Sequence, residues 1–140
     1  MPKKTPVVLT LIAINILLFA AGEIAPQFDF RKFLALHFWQ HQNHAVWQYI
    51  SHMFMHADTG HLLFNMFGLF MFGTALERLL GIKKFLLLYF AAGIGAGLIQ
   101  NFVNWYQFAD VQAQLTSAGA SLATLSTIKA NVLCNFQNEL

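Results

Sequence analysis

Three long apolar runs, residues 6–22, 60–80 and 85–103, constrain this chain more than any other feature. At roughly 1.5 Å of rise per residue each is long enough, as a helix, to cross a hydrocarbon layer of about 30 Å. Lipid offers no partner for backbone N–H and C=O groups, so apolar runs of this length must close their hydrogen bonds internally as helices. The bulk composition agrees, with 57% hydrophobic residues, 10% charged residues, fifteen Phe and a mean hydropathy of +0.53. The expected fold is an all-α polytopic membrane protein with three transmembrane helices. The net charge of +2 comes from eight basic and six acidic residues with no block of one sign, so no nucleic-acid partner is expected. A single cysteine, Cys134, excludes an internal disulfide framework.

In chain order, residues 1–5 form a short basic N-terminus, and residues 6–22 the first span. Its basic start and its Ala20-Ala21-Gly22 end resemble a signal peptide, but further spans follow, and a retained helix is expected. Asn15, in its middle, either faces another helix or is one tolerated polar group. Residues 23–59 mix aromatic, charged and histidine residues without a spanning run, and read as an interfacial loop whose FRKFLALHFW stretch dips aromatic side chains into the membrane. His37, His41 and His44 have the spacing of one helix face, but no cysteine or carboxylate accompanies them, and no metal is expected there. Asp58 and Thr59 are helix N-caps, and Gly81 is a left-handed C-cap, so the second span runs over 60–80. The third covers 85–103, and its Gly93 and Gly97 form a small-xxx-small pair that admits a close neighbouring helix. Residues 104–140 are more polar, with an apolar stripe at Val111, Leu115, Ala118, Leu122 and Leu125, and read as an amphipathic helix outside the membrane. Lys3, Lys4, Arg78, Lys83 and Lys84 crowd two short segments, which places the N-terminus and the 78–84 turn in the cytoplasm.

Polar groups are costly in such a chain, and they concentrate between His52 and Gly81. His61 and Asn65 are four residues apart on an expected helix, about 6 Å along its axis and on one face. Two readings are open: a plain interhelical hydrogen bond, or a pair of donors that stabilises a developing oxyanion in a water-poor site. A zinc-carrying set of His52, His56 and His61 is a third, weaker alternative.

The wider context supplies a resemblance. Trp47 precedes Ser51-His52, FMHA follows at Phe54–Ala57, HLLFN at His61–Asn65, and G-x-x-x-E-x-x-x-G at Gly73, Glu77 and Gly81. Over roughly residues 5–103 the chain resembles the rhomboid intramembrane serine proteases. The resemblance implies a rhomboid-like bundle of six or more helices, in which a serine attacks a peptide carbonyl and a later histidine acts as base. It implies oxyanion binding by His61 and Asn65, and structural support by His56 and Glu77. It further implies substrates that are single-span membrane proteins, action in the lipid bilayer of a bacterial inner membrane, and no cofactor. Two departures are visible. Gln48 follows Trp47 where family members often carry Arg, which puts a contact of the first loop in doubt. The nucleophile motif G-x-S-G is approximated only by Gly119-Ala120-Ser121-Leu122, so Ser121 is the candidate nucleophile, and no histidine follows His61 to serve as its base. The expectation is therefore an N-terminal half, truncated before the fourth span, with the reacting pair beyond Leu140 and no activity in these 140 residues alone. The alternative is a catalytically inactive relative that binds transmembrane helices.

Overall fold

The structure is a computed structural model that describes residues 5–119, and among these there is no strand. α1 (Pro6–Ile24) starts with proline at its first position, where a missing N–H costs nothing. The next two N–H groups, of Val7 and Val8, would be orphans in an apolar setting; instead they donate to Glu77 Oε1 (3.2 Å) and Oε2 (2.9 Å). The carboxylate thus closes the start of one span from the end of another. α1 runs two residues beyond the sequence-based limit, and its chain turns at Ala25, whose N–H donates back to Ala21.

The loop that follows is built from short pieces: α2 (Phe30–Leu34), capped by the Asp29 side chain, then α3 (Gln48–Ser51), which runs into a 3-10 turn at His52–Phe54. α4 (Thr59–Gly68) is capped by Asp58, whose carboxylate accepts from His61 N at 2.8 Å. A π-helical turn at Leu69–Gly73 joins it to α5 (Thr74–Leu80), and the three make one span, Thr59–Leu80. Gly81 then takes φ 78°, which side-chain-bearing residues rarely adopt, and α6 (Ile82–Ser117) starts at once. Pro6–Ile24, Thr59–Leu80 and Ile82–Ser117 are all long and apolar enough to cross a membrane, so the chain is a helical polytopic membrane protein.

α6 does not stop near residue 103. No Gly or Pro occurs from 98 to 118 to break it, and two of its side chains near residue 103, Asn101 and Phe108, have partners in the loop. Asn101 accepts from Trp39 N (3.2 Å) and donates to Tyr49 Oη (3.1 Å), while the Phe108 ring packs against Phe38 at 6.2 Å. Val111 and Leu115 of the expected apolar stripe are half-buried along the same helix. At about 1.5 Å per residue the 36 residues of α6 reach about 54 Å, well beyond the hydrocarbon.

The interior is small. Val8, Leu11 and Phe85 form its centre, with Leu69, Leu76, Tyr89 and Phe54 packed around them. The helices cross at Gly73, where a Cβ would meet Val8 at 3.1 Å and Leu69 at 3.0 Å. Asn15 is fully buried, and its amide donates to Leu11 O at 2.7 Å, so it faces the interior rather than lipid. Most large apolar side chains, such as Leu17, Phe64, Phe72 and Leu87, point outward, as a protein solvated by lipid requires.

Candidate functional site

The polar residues singled out in the sequence gather where the loop meets the start of α4. Leu62, buried against the interior, sets the rotation of α4 and turns His61 and Asn65 away from it. Both are exposed, and their side-chain polar groups have no hydrogen-bond partner among the described residues. An interhelical hydrogen bond between described elements therefore does not account for them.

His56 stands beside His61 in the opposite state. It is buried, and its ring meets the His61 ring edge to face, with centroids 5.3 Å apart and planes at 66°. Burial, and then the neighbouring His61, lower the His56 pKa from the ordinary 6.5, partly offset by the Phe54 backbone. His52 is likewise pushed down by burial, with the Gly93 backbone pulling the other way. These rings are consequently neutral near pH 7, and each has one ring nitrogen that donates a hydrogen bond and one that accepts.

The loop is fastened by a residue that the sequence marked only as a departure. Gln48 is 1% exposed and uses both ends of its amide. Its Oε1 accepts from His37 N (3.2 Å) and Ala45 N (3.1 Å), and its Nε2 donates to Asn43 O (2.9 Å) and Phe33 O (3.4 Å). Beside it, Trp47 Nε1 donates to the same Phe33 carbonyl at 3.1 Å, and Ser51 Oγ to Leu34 O at 2.7 Å. The neutral amide thus closes four backbone groups of the loop. No sequence signal identifies this role, because the groups it closes belong to turns spread over 33–45.

His37, His41 and His44 do not share a helix face. They lie in turns, where His44 Nδ1 contacts His37 O (3.1 Å), His37 Nδ1 contacts Ala35 O (2.8 Å), and His41 Nδ1 accepts from Asn43 N (3.1 Å). Among the described residues no three of His, Cys, Asp and Glu converge as a metal set would. Gly93 and Gly97 do permit a close approach, but by the loop and not by a spanning helix. A Cβ at Gly93 would collide with the Met53 thioether, and one at Gly97 would lie 2.9 Å from His52 Nε2 and 3.2 Å from Tyr49. Ser121 lies outside the described residues.

Residues 43–139 match a domain model described as the rhomboid domain. The chain belongs to the rhomboid family. Rhomboid protease GlpG of Haemophilus influenzae is 34% identical over 98 residues, which is 70% of this chain and 51% of that protein. The putative rhomboid protease YdcA of Bacillus subtilis is 35% identical over 98 residues, covering 70% of this chain and 46% of its own. Rhomboid protease GluP of the same organism reaches 44% over 84 residues, or 60% of this chain and 15% of its own. The chain therefore spans about half, or less, of the length of these relatives. No solved structure matches it.

Proposed function

We propose that this rhomboid segment supplies the oxyanion-binding half of an intramembrane serine endopeptidase site that cleaves single-span membrane proteins. One observation carries the proposal: His61 and Asn65 stand on the exposed face of α4, where the loop meets it, and neither side chain has a hydrogen-bond partner among the described residues. Two donors held on one rigid helix are positioned in advance, so they need not reorganise when a peptide carbonyl becomes an oxyanion. His56, packed on the His61 ring, limits the orientations that ring can take, and Glu77 fixes α5 to α1 at the far end of the same span.

Attack needs a serine hydroxyl and a base to take its proton. The described residues provide neither as a pair: the one serine of the loop, Ser51, donates its hydroxyl to Leu34 O, and every histidine lies at or before His61. The reaction accordingly requires a serine and a histidine that face α4 from elsewhere in the full-length protein. The basic residues at 3–4 and 78–84 support an inner-membrane orientation with the N-terminus in the cytoplasm and His61 near the outer surface.

A fluorophosphonate probe tests the enzyme reading. The intact protein should be labelled covalently at one serine and should cleave a single-span model substrate in liposomes. Neither labelling nor cleavage, with the substrate still retained by the protein, would instead establish a helix-binding rhomboid without protease activity.

A further inference from the structure

The molecule has a second polar feature, which shares only His56 with the site above. A cavity of about 210 Å³ lies between the last turns of α1, the start of α2 and the 3-10 turn. Leu18, Phe19, Phe28 and Phe54 form its apolar walls, and Glu23, Asp29, Arg31 and His56 bring polar groups to it. We propose that this cavity binds the headgroup of a zwitterionic phospholipid carrying a primary ammonium, a phosphatidylethanolamine, with Arg31 taking the phosphate and Glu23 the ammonium.

Location argues for lipid. α1 is an apolar helix of 19 residues, about 28 Å long, so its end at Ile24 falls at the headgroup level, and the cavity with it. The walls that continue down α1 from the charged groups are apolar, which suits a glycerol backbone and the first methylenes of an acyl chain. The volume is below the roughly 300–1,000 Å³ of pockets for drug-sized ligands, and suits a headgroup better than a folded segment.

Charge argues for the zwitterion. Glu23 sits in the last turn of α1, where the helix dipole already places negative charge and a carboxylate is disfavoured. It has no hydrogen-bond partner among the described residues, and no basic residue accompanies it in that turn. The helix end and Glu23 together make a locus that attracts a cation. Asp29, already engaged in capping α2 through Lys32 N, adds to the negative field. Arg31, which also lines the cavity, is held by one bond from Nη2 to Ala57 O (2.9 Å), which leaves other guanidinium N–H groups for a phosphate. A purely anionic lipid would meet Glu23 and Asp29 unfavourably, and a trimethylated headgroup could not donate hydrogen bonds to Glu23.

The test uses the intact protein, delipidated in a neutral detergent. Its thermal unfolding midpoint is followed while phosphatidylethanolamine, phosphatidylcholine or phosphatidylglycerol with matched acyl chains is added. Phosphatidylethanolamine should raise the midpoint at a concentration at least threefold lower than the other two. Glu23→Gln should abolish the preference over phosphatidylcholine, and Arg31→Gln should weaken the response to all three lipids. Glu23 and Arg31 are both exposed, so neither change threatens the core, and each variant's own midpoint without lipid checks this. Equal responses to the three lipids in the parent, or an unchanged preference in Glu23→Gln, would overturn the proposal. Labelling of the protein by a fluorophosphonate is independent of every one of these outcomes.

Discussion

Glu77 does the work of a helix cap from another helix. It lies 3% exposed and accepts from two N–H groups at the start of α1, a position where water is scarce and an unmet donor is costly. Glu77→Gln keeps the shape but leaves only one acceptor oxygen for two donors, one of which would face an NH2 group. A loss of about 1–3 kcal/mol is expected, read as a lower midpoint in thermal or dodecyl sulfate unfolding; a variant as stable as the parent would contradict this role. The histidines make a second prediction. His41, His52 and His56 all have folded pKa values below the ordinary 6.5, burial being the first cause in each. The unfolded chain therefore binds protons more tightly than the folded one, so stability is full above 6.5 and is lost as the pH falls below it toward the depressed values. The unfolding midpoint should hold steady from about pH 8 to 6.5 and drop as the pH falls further, and His56→Gln should flatten that drop. At this scale the sequence was only partly legible. Asp58 as a cap follows from its place before an apolar run, whereas the burial of Gln48 depends on turns that bring Phe33, His37, Asn43 and Ala45 to one amide.

The loop and α6 meet through glycine. On α6 the strip at Gly93 and Gly97 receives Met53, His52 and Tyr49, so the loop's position relative to α4 depends on two missing side chains. Gly97→Ala would put a methyl 2.9 Å from His52 Nε2 and 3.1 Å from Leu36, and overpacking of this kind costs about 1–3 kcal/mol. Gly95→Ala is the matched control, because nothing lies within 4 Å of its Cβ position, and it should stabilise α6 by about 0.5–1 kcal/mol. Unfolding midpoints of the two variants should therefore move in opposite directions, and a shift of the same sign in both would mean that the loop does not rest on Gly97. The small-residue pattern announced that something approaches α6 closely, but not what, since spacing on one helix carries no information about its partner. α6 extends beyond the apolar run of 85–103 for a related reason. Hydropathy falls after 103, but a helix ends where its backbone is broken, and Asn101 and Phe108 bind the loop without breaking it.

As a whole molecule, this rhomboid chain is an interior built around Val8, Leu11 and Phe85, with the His61 and Asn65 face of α4 exposed among the described residues. The spans were legible because apolar length is a direct physical requirement of the bilayer, and the family was legible because Trp47, His52, His56, His61, Asn65 and Glu77 recur at fixed separations. No nucleophile was legible in the same way, since Ser121 lacks the glycine that should follow it and lies outside the described residues. What stands on the open face is a pair of donors, and donors aimed at an oxyanion act on the transition state more than on the bound substrate. The most direct measurement is the cleavage rate of a single-span substrate by the intact protein and its His61→Ala and Asn65→Ala variants, under single-turnover conditions in liposomes. If the pair binds the oxyanion, each variant should lose about 100- to 1,000-fold in the maximal single-turnover rate constant, with little change in the concentration that gives half of it. Cleavage at the parental rate in both variants would contradict that assignment.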